Sequence, residues 1–432
     1  MKTKNLFLLL LLLLSLAGAS QGINDLPANQ PLTAEQIKED LRILQRELKA
    51  NHGGIYTYCT EAELDQFFVE QEAKVTEGIR PLEVFKMVGP VLGLIKDAHT
   101  AMNLPDPFYE YLDTKMKLLP FGVRQLDDKL FLTINLSTKA EVPVGAEIVR
   151  INGRGTQEVF QTLLPYFERD GENLVTPSRE LSGLFMDYYG FLVEEPEEFE
   201  LDLRLKDGTV ESWKIPAGYW PEIEPRVNQY WSARFPDSGP KPALSFRMEE
   251  KIGRLKIRTF HPERIKASKQ KSGKFYQQVF EQLAQVNAQQ LVIDLRDNGG
   301  GSETEFIPLL RHLLPSDFTV YRELSTSTLA VASPDLYPKD NLKKLNKQAR
   351  KTLKLKDGRY HEVADPSTAP VTPIATPFRG KVYVLIDERS ASASGDFCGV
   401  LQHFDRATFV GTETGGNANT NVAGTTVRLI LP

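Results

Sequence analysis

The stretch that most constrains this chain covers residues 381–417, KVYVLIDERSASASGDFCGVLQHFDRATFVGTETGGN. It opens on an apolar, β-branched run, Val382 to Ile386, with the length and flanks of a buried strand. Asp387-Glu388-Arg389 breaks the run, and five small residues follow, Ser390-Ala391-Ser392-Ala393-Ser394. Phe397, Val400, Leu401 and Phe404 then fall at helical spacing, and Arg406 to Val410 reads as a second strand. A serine cluster therefore sits where a strand hands over to a helix. Free backbone N–H groups and the positive end of the helix dipole at such a junction can stabilise an oxyanion. Serine also caps helices routinely, so the local pattern leaves two readings open, a nucleophile or a cap.

The 432 residues exceed one compact core, so two or three domains are expected. A formal net charge of −5 gives no basis for nucleic acid or an anionic membrane as partner. The first 19 residues read as a signal peptide. Lys2 and Lys4 are basic, Leu6 to Leu16 is an apolar core, and Ala17-Gly18-Ala19 suits cleavage. The mature chain is expected to start near Ser20, to be exported to a periplasm or the extracellular space, and not to be an integral membrane protein. Only Cys59 and Cys398 are present, too few for a disulfide framework. Cys398 falls on the apolar side of its helix and is expected as a buried thiol.

Residues 20–105 read as a helical module. Thr33-Ala34-Glu35-Gln36 forms a capping box ahead of Ile37, Leu41, Leu44 and Leu48 on one face. A second helix starts near Thr60, and a third runs from Pro81 through Phe85, Val88, Val91 and Leu92. The module ends on Asp97-Ala98-His99-Thr100, which places His99 at a helix end or in the following turn. Residues 106–220 read as short strands and turns. Lys129 to Asn135, the segment Val142 to Gly153, and Phe199 to Leu205 before Asp207-Gly208 are strands. Val144-Gly-Ala-Glu-Ile-Val-Arg-Ile-Asn-Gly153 resembles the turn-and-strand signature of PDZ domains, which bind peptides by strand addition.

From residue 221 to 432 the pattern is α/β. A strand (Ile252 to Phe260), a helix (Gly273 to Val286) and a strand (Gln290 to Leu295) lead into Arg296-Asp-Asn-Gly-Gly-Gly301. Ser302 then caps a helix to about Leu314. Lys339 to Arg359 holds nine basic residues against two aspartates, and four prolines follow, so a solvated helix and stiff linker are expected. No HExxH or comparable cluster argues for a metal, and no cofactor motif is present.

Two Gly- or Ser-rich strand-to-helix turns in one α/β domain suit acyl transfer, with one carrying the nucleophile and the other donating amides. Leu291-Val-Ile-Asp-Leu-Arg-Asp-Asn-Gly-Gly-Gly301 and Ser390-Ala-Ser-Ala-Ser394 resemble the two motifs of the C-terminal processing, or tail-specific, serine proteases. The resemblance implies a crotonase-like catalytic domain, beside the PDZ-like domain and the helical module, acting on protein or peptide substrates. It implies Ser392 as nucleophile and the amides of Ala393 and Gly300 as oxyanion hole.

The lysine of that family's bacterial branch falls at position 417, which is Asn417 here, and no lysine occurs from 393 to 432. The branch that resembles the tricorn protease core takes a histidine from far upstream, and Asp97-Ala98-His99-Thr100 matches that segment. His99 is then the general base, and His52, His261, His312, His361 and His403 are surface or packing residues. The glutamate that orients the histidine in that branch falls beyond Pro432. Thr425 to Leu431 reads as a strand cut short, so a truncated chain is expected. Glu413 reads as a solvated loop acid rather than a substitute. A second reading stands beside the first, a catalytically inactive peptide- or ligand-binding protein on the same fold.

Overall fold

The computed structural model describes residues 22–416 and 428–431, apart from 235–238, 240, 327, 340–341, 344–346, 348–350 and 364. The expected signal segment lies outside the described residues, as do residues 425–427 of the expected C-terminal strand. Residues 428–431 of that strand run without regular structure.

The N-terminal helices form where capping and apolar spacing predict them. α1 (Ala34–Asn51) starts on a closed capping box, with Thr33 Oγ1 accepting from Gln36 N–H and Gln36 Oε1 accepting from Thr33 N–H. Its buried face is Ile37, Leu41 and Leu44. α2 (Glu61–Ala73) starts on a second box at Thr60. The expected third helix is two, α3 (Pro81–Val88) and α4 (Val91–Ile95), because Gly89-Pro90 falls between them. α4 ends on Lys96 in the left-handed conformation (φ 55°).

α5 (Asp106–Thr114) leads into an antiparallel sheet. Its strands are β1 (Phe121–Leu126), β2 (Lys129–Asn135), β3 (Glu147–Ile151), β4 (Arg154–Gly155), β5 (Glu198–Arg204) and β6 (Val210–Pro216), in the order β1-β2-β3-β5-β6 with β4 on β3. Strands alone do not describe this region. Between β4 and β5 lie α6 (Thr156–Leu163), α7 (Val175–Gly183) and α8 (Phe185–Leu192). The signal was present in the helical spacing of Val159, Phe160 and Leu163 and of Phe185, Tyr189 and Leu192, all of them buried. These residues share one core with Leu82, Phe85 and the sheet.

After α9 (Trp220–Arg234) a second sheet forms, β14-β13-β9-β8-β7. It comprises β7 (Leu244–Glu249), β8 (Ile252–Ile257), β9 (Gln290–Asp294), β13 (Lys381–Ile386) and β14 (Thr408–Gly411). β7 is antiparallel to β8, and the other pairings are parallel. The connections carry α10 (Pro262–Ala267), α11 (Ser272–Gln285), α12 (Glu303–Leu313) and α13 (Ala393–His403), as parallel strands require crossovers. The central strands β9 and β13 bury Leu291, Ile293, Val382 and Val384 on one face, and most of the alternate residues are half-buried.

The basic stretch before β13 departs from the expected helix and linker. β11 (Leu353–Lys356) and β12 (Arg359–Glu362) form a hairpin that also pairs with β10 (Ser325–Thr326). Leu353-Lys-Leu-Lys alternates, and Asp357 and Gly358 both take positive φ (50° and 78°), the backbone a two-residue hairpin turn needs.

Candidate active site

Because β9 and β13 are parallel neighbours, their C-terminal ends lie side by side, and both turns leave the sheet at the same edge. Hydrogen bonds stitch the turns together. Leu295 N–H donates to Leu385 O (2.9 Å), Asp297 N–H to Asp387 Oδ1 (3.0 Å) and Ala391 N–H to Asn298 O (3.2 Å). The glycine turn and the serine turn are therefore one unit.

Within that unit the three serines differ. Ser390 Oγ donates to Leu295 O (2.9 Å) and accepts from Asp387 N–H (3.1 Å). Ser394 Oγ donates to Asn298 O (2.8 Å). Both are fully buried. Ser392 is the N-cap residue of α13, yet its side chain makes no capping bond. The capping reading of the cluster thus fails at Ser392. Its backbone sits at φ 52°, ψ −127°, a conformation costing a non-glycine residue about 1–3 kcal/mol. That is the sharp strand-to-helix turn that lifts a nucleophilic serine out of its own helix.

Gly300 packs against this turn. A Cβ there would meet Ala391 O at 2.7 Å and both Ala393 N and Ser392 Cβ at 2.9 Å, so only glycine fits. Its amide, however, is taken: Gly300 N–H donates to the buried Asn298 Oδ1 (3.0 Å). The expectation that this amide serves an oxyanion is corrected by that bond. Gly299 lines the cavity instead, and a Cβ at Gly299 would meet nothing within 4 Å. No acceptor among the described residues takes the Gly299 or Ala393 N–H.

His99 arrives from the opposite end of the sequence, in the turn after α4. The segment before α7 holds that turn against the serine turn. Gly171 N–H donates to Lys96 O (3.0 Å), and Arg169 Nη2 to Gly93 O (2.6 Å). From the same segment Asn173 Nδ2 donates to Thr414 O (2.8 Å), and from the first turn of α7 Thr176 Oγ1 donates to Glu388 O (3.3 Å). The result is a cavity of about 170 Å³ in which His99, Gly299, Ala391 and Ser392 share the wall with Glu168, Asp170, Thr176, Glu180, Asp396, Gly415 and Gly416. Of the expected site residues, Ser392 and His99 meet at this cavity. Ala393 lies fully buried directly behind it, and Gly300 packs below Ser392.

The walls are acidic. Burial, and then the charges of Glu180 and Asp97, push the Glu168 carboxyl up to about 7. Burial also raises Glu180. The neighbouring arginines face elsewhere, Arg169 to Gly93 and Arg179 to Glu388. Sequence reading missed these acids, because α6 to α8 were not expected. It also missed His52, which bonds Asp97 and Thr100 rather than merely packing. The only local signal was that His52 ends α1, beside Gly53-Gly54. Glu413 is exposed and does not line the cavity. Cys59 and Cys398 are both buried and free, and burial pushes the Cys398 thiol up to about 12, which rules against it as a nucleophile. Among the described residues no group of three or more His, Cys, Asp or Glu could hold a metal ion, and no helix is long and apolar enough to cross a membrane.

The site thus brings together a serine on a strained strand-to-helix turn, two amides with no acceptor among the described residues, and a histidine. Residues 251–424 match the family model described as Peptidase family S41, and with that domain the protein is a serine peptidase. Two solved structures of CPAF are similar along nearly the whole chain. A CPAF mutant is 15% identical, with a TM-score of 0.56 over 92% of this chain and 88% of that one. Mature CPAF complexed with lactacystin is 17% identical, with a TM-score of 0.55 over 92% of this chain and 89% of that one. At these identities the likeness is one of fold.

Proposed function

We propose that the protein is an exported serine endopeptidase, periplasmic or extracellular, that cleaves peptide bonds through an acyl-enzyme on Ser392 with His99 as general base. The reading places the catalytic chemistry on a crotonase-like domain of the tricorn-core-like, Ser/His branch and gives the antiparallel sheet a PDZ-like role in capturing peptide ends. One observation carries it: of three clustered serines, Ser392 alone has a hydroxyl with no bond among the described residues, and it shares a cavity with His99.

In this scheme His99 takes the Ser392 hydroxyl proton as Oγ attacks the peptide carbonyl. The carbonyl oxygen gains negative charge and is met by the N–H groups of Gly299 and Ala393. His99 then returns the proton to the leaving amine, and a water deprotonated by His99 hydrolyses the ester. Each oxyanion donor contributes about 3–4 kcal/mol to the transition state. An imidazole suits the exchange because its ordinary pKa near 6.5 lets it gain and lose the proton at neutral pH.

A fluorophosphonate probe tests the scheme. The wild-type chain should label, Ser392→Ala should not, and His99→Ala should lose most of the labelling rate. A folded wild type that stays unlabelled would leave the non-catalytic binding protein as the better reading.

A further inference from the structure

A histidine base needs its remaining ring nitrogen held, and the following inference rests on the Ser392–His99 reading. We propose that Asp97 is the positioning residue for His99, fixed in place by a relay through Gly54, His52 and Thr100.

The relay can be followed proton by proton. Gly54 N–H donates to His52 Nδ1 (3.2 Å). A ring nitrogen that accepts carries no proton, so neutral His52 holds its hydrogen on Nε2. That Nε2–H faces Thr100 Oγ1 (2.9 Å) and Asp97 Oδ2 (3.2 Å). The Thr100 hydroxyl donates in turn to Asp97 Oδ2 (2.5 Å), which leaves its lone pairs for His52. Both bonds fall on the same carboxylate oxygen and fix its plane. The other oxygen, Oδ1, faces His99 Nδ1 at 4.0 Å.

A carboxylate at Nδ1 favours the tautomer with the proton there and leaves the Nε2 lone pair for the Ser392 hydroxyl. The gap exceeds a hydrogen bond by about 1 Å, and such bonds commonly close only when substrate is bound. Backbone geometry brings the two side chains together. Lys96 turns the chain at φ 55°, and Thr100 N–H closes the turn on Asp97 O (3.2 Å).

The carboxyl of Asp97 is shifted in the opposite direction from those of Glu168 and Glu180. Burial alone would raise it, but the bonds from His52 and Thr100 outweigh burial and hold it below its ordinary value. Glu168, pushed up to about 7, is partly protonated at neutral pH and makes a weaker anchor. The groups that bear on His99 are therefore Asp97 and His52 from the N-terminal helices, Glu168, Asp170 and Glu180 around the start of α7, and Asp396 on α13.

The test uses the full chain carrying Asp97→Asn, with two readouts. Labelling by the fluorophosphonate probe, followed across pH, should fall about 10³–10⁴-fold, as when a triad acid becomes an amide. The His99 Nδ1–H proton resonance, assigned by its loss in His99→Gln, should move upfield once the facing carboxylate is gone. Asp97→Glu should recover part of the rate. A merely structural Asp97 would change melting and leave that resonance in place. The inference is overturned if Asp97→Asn labels at the wild-type rate with the resonance unmoved, or if Glu168→Gln produces the collapse instead. Labelling that survives Ser392→Ala would break the nucleophile reading. The resonance would still decide whether Asp97 faces His99.

Discussion

Glu388, two residues before the serine run, offers a quantitative check on how the turn is held. Its carboxylate is buried. Oε1 accepts from Arg179 Nη1 (2.5 Å) and Arg124 Nη2 (2.6 Å), and Oε2 accepts from Thr412 Oγ1 (3.0 Å). These partners come from α7, β1 and the segment after β14, so one carboxylate ties the antiparallel sheet and its helices to the catalytic sheet. Burial would raise its pKa, but the bonds from Arg124, its own backbone, Arg179 and Thr412 outweigh that and bring it from 4.5 to about 2. At about 1.4 kcal/mol per unit this is about 3 kcal/mol of stability. Solvent screening around the partly exposed arginines trims it to about 2 kcal/mol.

The sign follows from the depressed pKa. The contribution is full above the unfolded value near 4.5 and is lost as pH falls through about 2. Urea unfolding at a series of pH values should find Glu388→Gln about 2 kcal/mol less stable than wild type at pH 7, with the gap closing towards pH 2. A gap that stays constant across that range would refute the reasoning, because it would mean that shape rather than charge is being lost.

Gly300→Ala should lose about 2–4 kcal/mol of stability and most probe labelling. Its Cβ would lie 2.7–2.9 Å from the Ala391, Ser392 and Ala393 atoms at a φ of 98°. Gly299→Ala, with open space around the new Cβ, should melt like wild type; thermal unfolding of the pair decides this. Glu168 works in the opposite sense from Glu388. Its raised pKa means that the folded state resists ionisation, so wild type loses stability as pH rises from 4.5 towards about 7. Glu168→Gln should therefore be more stable than wild type at pH 8 by about 1–2 kcal/mol, and equal to it at pH 4. Denaturation at those two values measures the difference.

The parts of the site written in contiguous residues were legible in the sequence. The strand, serine run and helix of 381–404 and the strand and glycine turn of 290–301 follow from apolar spacing and small residues. Their neighbouring positions follow from parallel pairing. The parts made by long-range contact were not. Nothing in the run Asn298-Gly299-Gly300-Gly301 says that the Asn298 side chain will capture the amide of Gly300 and leave Gly299 facing the cavity. That depends on Asn298 being drawn inside to bond Ile257 O. The acids around Ser392 come from a region whose strands masked its helices. His52 carried no motif, because its function is to hold Asp97, a residue 45 positions away.

The placement of the proposed catalytic pair also bears on when such a chain becomes dangerous to its host. The segment with His99 is synthesised well before the turn with Ser392. The bridge between them, Gly171 to Lys96 on one side and Thr176 to Glu388 on the other, exists only once the intervening helices have docked. A partly translated or partly folded chain carries at most half of the pair. In this architecture the proposed pair is completed only when both bridges have formed, so proteolytic competence follows the docking of these helices.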